Sequence, residues 1–99
     1  MAKITSAGVV TASAGTAVRF TAAPTPIKSI LVQANKGNGN VVYIGDSTTS
    51  ATTAMSFAAG ETLEIKFKDS AEETSGDLSD FYVDSAVTGQ GIKYIAVEL

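Results

Sequence analysis

The stretch Thr62-Leu63-Glu64-Ile65-Lys66-Phe67-Lys68 alternates between apolar and charged or polar residues without a break. Successive side chains on a strand point to opposite faces, so a period of two sorts them onto two surfaces. The alternation assigns Leu63, Ile65 and Phe67 to a core and Glu64, Lys66 and Lys68 to solvent. A strand with one wet face belongs in an antiparallel sheet. Ala59-Gly60-Glu61 reads as the turn that feeds this strand, and Met55 to Phe57 as a short strand before it.

The pattern recurs on both sides. Thr16 to Thr21 reads as a short strand with Val18 and Phe20 on one face. Pro24 and Pro26 lack a backbone donor and mark a loop or a strand entry. Ile27 to Ala34 follows, and its continuous run Ile30-Leu31-Val32 predicts a strand covered on both faces. Asn35-Lys36-Gly37-Asn38-Gly39-Asn40 has turn composition, because Gly and Asn accept positive φ at low cost. The expectation is a hairpin, with Val41 to Gly45 returning beside residues 27–34. Phe81-Tyr82-Val83 is a further strand, and Thr88-Gly89-Gln90-Gly91 a further turn. In the closing strand Ile92, Tyr94 and Ala96 share one face, and Ile95, Val97 and Leu99 the other. The mixed faces of residues 27–34 and 92–99 place these strands centrally, or against another subunit. Residues 1–15 are poor in complexity, with Thr5-Ser6-Ala7-Gly8 nearly echoed by Ala12-Ser13-Ala14-Gly15. They read either as an edge strand and turn or as an extended arm ordered on a partner. The fold class is therefore all-β: a small antiparallel β-sandwich or jelly-roll-like barrel of about seven or eight short strands. The chain divides into an N-terminal arm or edge strand, 1–15, and a single β-sandwich domain, 16–99.

Composition narrows the function by exclusion. A chain of 99 residues makes one domain. Its apolar fraction of 44% is too high for a disordered linker. The net charge of −3, with Lys3, Arg19, Lys28, Lys36, Lys66, Lys68 and Lys93 scattered, argues against nucleic acid, which needs clustered basic residues. No apolar run reaches the roughly 20 residues of a membrane helix, and the N-terminus has no continuous apolar segment of the signal-peptide kind. The expected location is the cytoplasm of synthesis or the interior of a larger particle.

The chain has 0 histidines and 0 cysteines. Ser-His-Asp and Cys-His catalysis and the usual zinc sites are thereby excluded. Two carboxylates suffice for glycoside hydrolysis, and Asp77 with Asp80, joined by Asp84, is the pair to consider. The acidic loop 69–80, with Asp69, Glu72, Glu73, Asp77 and Asp80, reads as solvated surface or, less simply, as a calcium site without EF-hand spacing. Gly37-Asn38-Gly39 lacks the Lys-Ser/Thr and the helix of a phosphate loop. Tyr43, Tyr82 and Tyr94 read as sheet packing, with an aromatic platform for sugars as the alternative. No catalytic, cofactor-binding or metal-binding residue is assigned, and no cofactor is expected.

The run Lys28-Ser29-Ile30-Leu31-Val32-Gln33-Ala34, the Asn-rich turn 35–40, and Val41-Val42-Tyr43-Ile44-Gly45-Asp46 together resemble a pattern in small structural proteins of tailed bacteriophages. Ala59-Gly60-Glu61-Thr62-Leu63 and Leu78-Ser79-Asp80-Phe81-Tyr82-Val83-Asp84 continue it, so the resemblance spans residues 27–99. It implies a non-enzymatic β-sandwich component of the virion, most simply a capsid decoration or cement protein. Its partners would be the major capsid protein or other virion proteins. It would form a homo-oligomer, with a trimer at three-fold lattice positions favoured. A tail, connector or fibre component is the alternative within the same resemblance, and a carbohydrate-binding module is the alternative outside it.

Overall fold

The computed structural model describes residues 3–11, 13–67 and 76–98. Lys3–Val10 form β1, Val18–Arg19 β2, Pro26–Ala34 β3, Val42–Gly45 β4, Met55–Phe57 β5, Thr62–Lys66 β6, Gly76–Asp77 β7, Tyr82–Ser85 β8 and Gly91–Glu98 β9. A 3₁₀ turn, Leu78–Asp80, precedes β8. The strands build two antiparallel sheets. The larger has five strands in the order β1-β9-β3-β6, with β7 also paired to β3, and the smaller has four in the order β2-β8-β4-β5. Their inner faces enclose one core, so the all-β sandwich expected from alternation is the observed fold.

The core follows the period of two. Ile30, Val32 and Ala34 of β3 and Ile92, Tyr94 and Ala96 of β9 are buried from the larger sheet. Val42 and Ile44 of β4, Phe57 of β5 and Val83 of β8 meet them from the smaller one, joined by Phe20 and Leu78. Leu63, Ile65 and Phe67 pack against this cluster half-buried, whereas Glu64 and Lys66 are exposed. Lys68, Leu99 and the acidic residues Asp69, Glu72 and Glu73 lie outside the described residues.

Ile27 is buried together with Ile30, three positions on, which strict alternation forbids. A register shift between Ile27 and Ser29 against β9 resolves this: Lys28 is an extra residue, and the bulge turns Ile27 back inward. The bulged backbone is still paired, since Phe67 N donates to the Lys28 carbonyl at 2.8 Å.

The hairpin expected between residues 27–34 and 41–45 does not form. β3 pairs with β9, β6 and β7, whereas β4 pairs with β5 and β8 in the opposite sheet. The Asn-rich link crosses from one sheet to the other. Long-range bonds hold it there: Asn35 N donates to Gly91 O at 3.0 Å and Asn38 Nδ2 to the same carbonyl at 2.9 Å. Its glycines are not in the left-handed region either; among the described residues positive φ occurs at Gly15, Gly60 and Gly89. Gly60 and Gly89 sit in the two turns anticipated at 59–61 and 88–91.

Two further features fix the end of the sandwich. A Cβ at Gly91 would run into the Val9 carbonyl, so only glycine lets β1 approach β9 there. Just beyond β1, Thr11 is fully buried and shares a hydroxyl–hydroxyl hydrogen bond with Ser85 of β8. Two hydroxyl protons serve three contacts: Thr11 Oγ1 also lies 2.9 Å from Gln90 O and Ser85 Oγ 2.6 Å from Val87 O, so one proton lies between the hydroxyls and the other goes to a carbonyl. This polar staple ties the larger sheet to the smaller with its hydroxyls paired, as buried polar groups require.

Candidate interaction surface

Register places the outward side chains of the larger sheet in rows. Gly8, Lys93, Gln33 and Thr62 form one row, Ser6, Ile95, Leu31 and Glu64 the next, and Ile4, Val97, Ser29 and Lys66 the third. Ile95 and Leu31 are directly opposed and remain 45% and 42% exposed. Ile4 and Val10 on β1 continue the same face at 63% and 51% exposed. Among the described residues Met55 and Val87 are the other large apolar side chains left this open, so four of the six share one face. The small residues Ser6 and Gly8 lower the surface between them, leaving a shallow trough of about 520 Å³ bordered by Leu31, Gln33, Lys93 and Ile95.

Sealing a Leu or Ile side chain from water is worth about 1.5–3 kcal/mol, and contiguous exposed apolar groups rimmed by polar ones mark an interaction site. Lys93, Gln33, Thr62, Glu64 and Lys66 supply that rim. Glu64 and Lys66 approach to 3.9 Å, but both are well exposed, so the pair adds little. The strand expected to be covered on both faces is therefore covered on one by the chain itself; Leu31 lies on the other.

Two of the three carboxylates considered for catalysis, Asp77 and Asp84, are engaged in holding the fold. Asp77 caps the 3₁₀ turn: its Oδ1 accepts Thr25 N at 2.9 Å, Ser79 N at 2.9 Å and Ser79 Oγ at 2.7 Å. The Thr25 N–H first, then the Ser79 donors, hold its carboxyl below the ordinary carboxylate value. Asp84 is 3% exposed, and its Oδ1 accepts Gly15 N at 3.0 Å and Ser85 N at 2.7 Å. Asp80 is exposed and borders a separate surface depression with Arg19, Asp46 and Tyr82. Among the described residues no three Asp or Glu side chains converge to hold a metal ion.

The three tyrosines do not share a platform. Tyr94 is buried between the sheets and stacks on Phe20 with ring centroids 5.5 Å apart. Burial, with Glu98 second, pushes its hydroxyl pKa up. Tyr82 and Tyr43 lie on the outer face of the smaller sheet. Arg19 Nε donates to the Tyr82 hydroxyl at 2.9 Å, while Tyr43 lies opposite Asp84. Alternation, which also buries Ile92 and Ala96, takes Tyr94 out of the three-tyrosine platform and leaves Tyr43 and Tyr82 on one outer face. The bare face of the larger sheet is the second face of residues 27–34 and 92–99, which the sequence set against another subunit as one of two alternatives. The signal for it was present in Leu31 and Ile95, which alternation turns away from the buried residues of β3 and β9.

No protein-family model matches the chain, and no curated protein matches it. Solved structures similar to it include two of the Tobacco streak virus coat protein, one of them a dimer. Both give a TM-score of 0.46 at 11% identity, covering 98% and 99% of this chain and 85% of that one.

Proposed function

We propose that this chain is a non-enzymatic structural protein of a virion, and specifically a decoration protein that binds the assembled head of a tailed bacteriophage. The observation that carries the structural role is the collection of Ile4, Val10, Leu31 and Ile95 on one sheet face, with Asp77 committed to a cap and Asp84 to a tie. The resemblance of residues 27–99 to small tailed-phage proteins supports the virion, and head decoration is the simplest role within it. A protein that binds the assembled lattice and not the free capsid subunit stabilises the lattice by linkage. Many copies on one particle make a modest contact at each site sufficient.

The test is co-sedimentation of the purified chain with mature heads of the phage that encodes it, together with the melting temperature of those heads. Saturable binding and a raised melting temperature are expected. Immunogold labelling of whole virions separates head from tail: gold confined to the tail or connector would replace this reading with the tail-component one. Removal of residues 1–15 is not a clean probe of attachment, because β1 carries Val9 into the core and covers one edge of β9.

A further inference from the structure

β1 ends the larger sheet, and among the described residues no strand pairs with its outer side. In an antiparallel ladder the peptide groups of alternate residues point away from the existing partner, so β1 presents a row of free N–H and C=O groups. Proteins usually blunt such an edge with proline, a bulge, inward charge or short length. β1 has none of these along its body. It runs for 8 residues, its register with β9 is unbroken from Lys3↔Glu98 to Val10↔Gly91, it contains no proline, and its one charge is Lys3 at the end.

We infer that β1 pairs antiparallel with β1 of a second copy of this chain, about a two-fold axis at Ala7. A two-fold perpendicular to the sheet keeps outer faces together and sets the residue on the axis opposite itself. With Ala7 on the axis, Ile4 lies opposite Val10 of the second copy, Thr5 opposite Val9, and Ser6 opposite Gly8. Ile4 and Val10 are the two large apolar side chains that β1 leaves open, at 63% and 51% exposed, and this register covers each with the other on both sides of the axis. Moving the axis one residue to Ser6 would set Ile4 against Gly8 and Lys3 against Val9. In the Ala7 register Lys3 faces Thr11, and the two lysines lie at opposite ends of the seam, so no like charges oppose.

The outcome is one sheet running β6-β3-β9-β1 and back in reverse order through the second copy. The two troughs at Leu31 and Ile95 meet across the facing Ser6 and Gly8 positions, and two exposed edges disappear. This contact stands independently of the virion reading and is two-fold, unlike the three-fold association that the phage resemblance implies.

Sedimentation equilibrium of the full chain gives the subunit count directly, and twice the chain mass is expected. I4E and V10K should each weaken association roughly ten- to hundredfold, because each places a charge against an apolar partner twice per dimer. The double variant I4E/V10K sets the new carboxylate opposite the new ammonium of the other copy and should recover the dimer. Both positions are exposed, so the circular dichroism of each variant should match the parent. In this cysteine-free chain A7C should cross-link under mild oxidation, since directly opposed residues lie within disulfide reach. A monomer, a trimer, a dimer indifferent to I4E and V10K, or a double variant no better than the singles would overturn the inference.

Discussion

On the outer face of the smaller sheet, Asp84 receives the Gly15 N–H at 3.0 Å, Ala14 N donates to Thr88 Oγ1 at 3.0 Å, and Arg19 braces the Tyr82 hydroxyl at 2.9 Å. The loop after β1 folds back onto that sheet, and Ser50 and Ala51 of the β4–β5 connection border the same depression as Tyr43 and Asp84. On the outer face of the larger sheet, Leu31 and Ile95 oppose each other with no comparable loop bond over them among the described residues. One face spends its polar groups on intrachain ties, and the other keeps apolar groups open. In a domain this small, which buries only about two-thirds of its unfolded surface, an uncovered apolar face is a loss to the monomer. Intrachain ties thus gather on the smaller sheet's outer face, and the open apolar side chains on the larger's.

The largest effect is expected at Asp84. Truncation in D84A removes the acceptor of two N–H donors, Gly15 N and the buried Ser85 N. Leaving buried donors unpaired costs about 1–3 kcal/mol. Each kcal/mol corresponds to about 4–8 °C in Tm for a domain of this size. Thermal and urea denaturation should show that loss, with head binding intact where the protein is folded. An unchanged Tm would mean that the loop tie does not hold the smaller sheet's face.

L31T and I95T probe the other face. Both side chains are over two-fifths open, and threonine retains strand preference, so stability should move by no more than about 0.5 kcal/mol. Co-sedimentation with heads should fall sharply for each. Normal binding by both variants would remove the larger sheet's face from the attachment surface.

These expectations also mark what local sequence carries. The alternation of residues 62–66 is a single-strand property, so the direction of Leu63 and Ile65 was legible. The same rule grouped Ile92, Tyr94 and Ala96, and all three are buried. The partner of β3 was not legible. The six residues from Asn35 to Asn40 have hairpin composition, yet Gly91, far along the chain, takes hydrogen bonds from Asn35 N and Asn38 Nδ2 and fixes the link as a crossover. Pairing across more than fifty positions leaves no local trace. The Thr11–Ser85 staple was silent for a related reason: each residue alone reads as a surface hydroxyl, and only their juxtaposition lets them be buried. The bare sheet face was half legible. Leu31 and Ile95 announced a second apolar side, but whether the chain itself covers that side depends on where its loops travel.

The smallest effect expected is in acid, where the two sheets' loops should again separate. Asp77 and Asp46 both titrate below the ordinary carboxylate value, for different reasons. Asp46 is held down by the Thr48 hydroxyl and N–H two residues away, a bond that closes its own turn. Asp77 is held down first by Thr25 N, 52 positions distant, which fastens the approach to β3. A carboxyl whose pKa is lower folded than unfolded contributes stability that is complete above the unfolded pKa and is lost as pH falls through the folded one. Wild-type stability should therefore decline on acidification below about pH 4. D77N keeps an acceptor oxygen but has no charge to lose. It should be slightly less stable at neutral pH and converge with wild type in acid. D46N should also flatten the acid limb, but by less than D77N, since the Asp46–Thr48 bonds span only two residues and persist more readily in the unfolded chain. Urea midpoints for the three proteins between pH 2.5 and 7 decide the matter. An acid limb in D77N as steep as that of the wild type would show that the long-range Thr25 bond gains nothing from the ionised carboxylate.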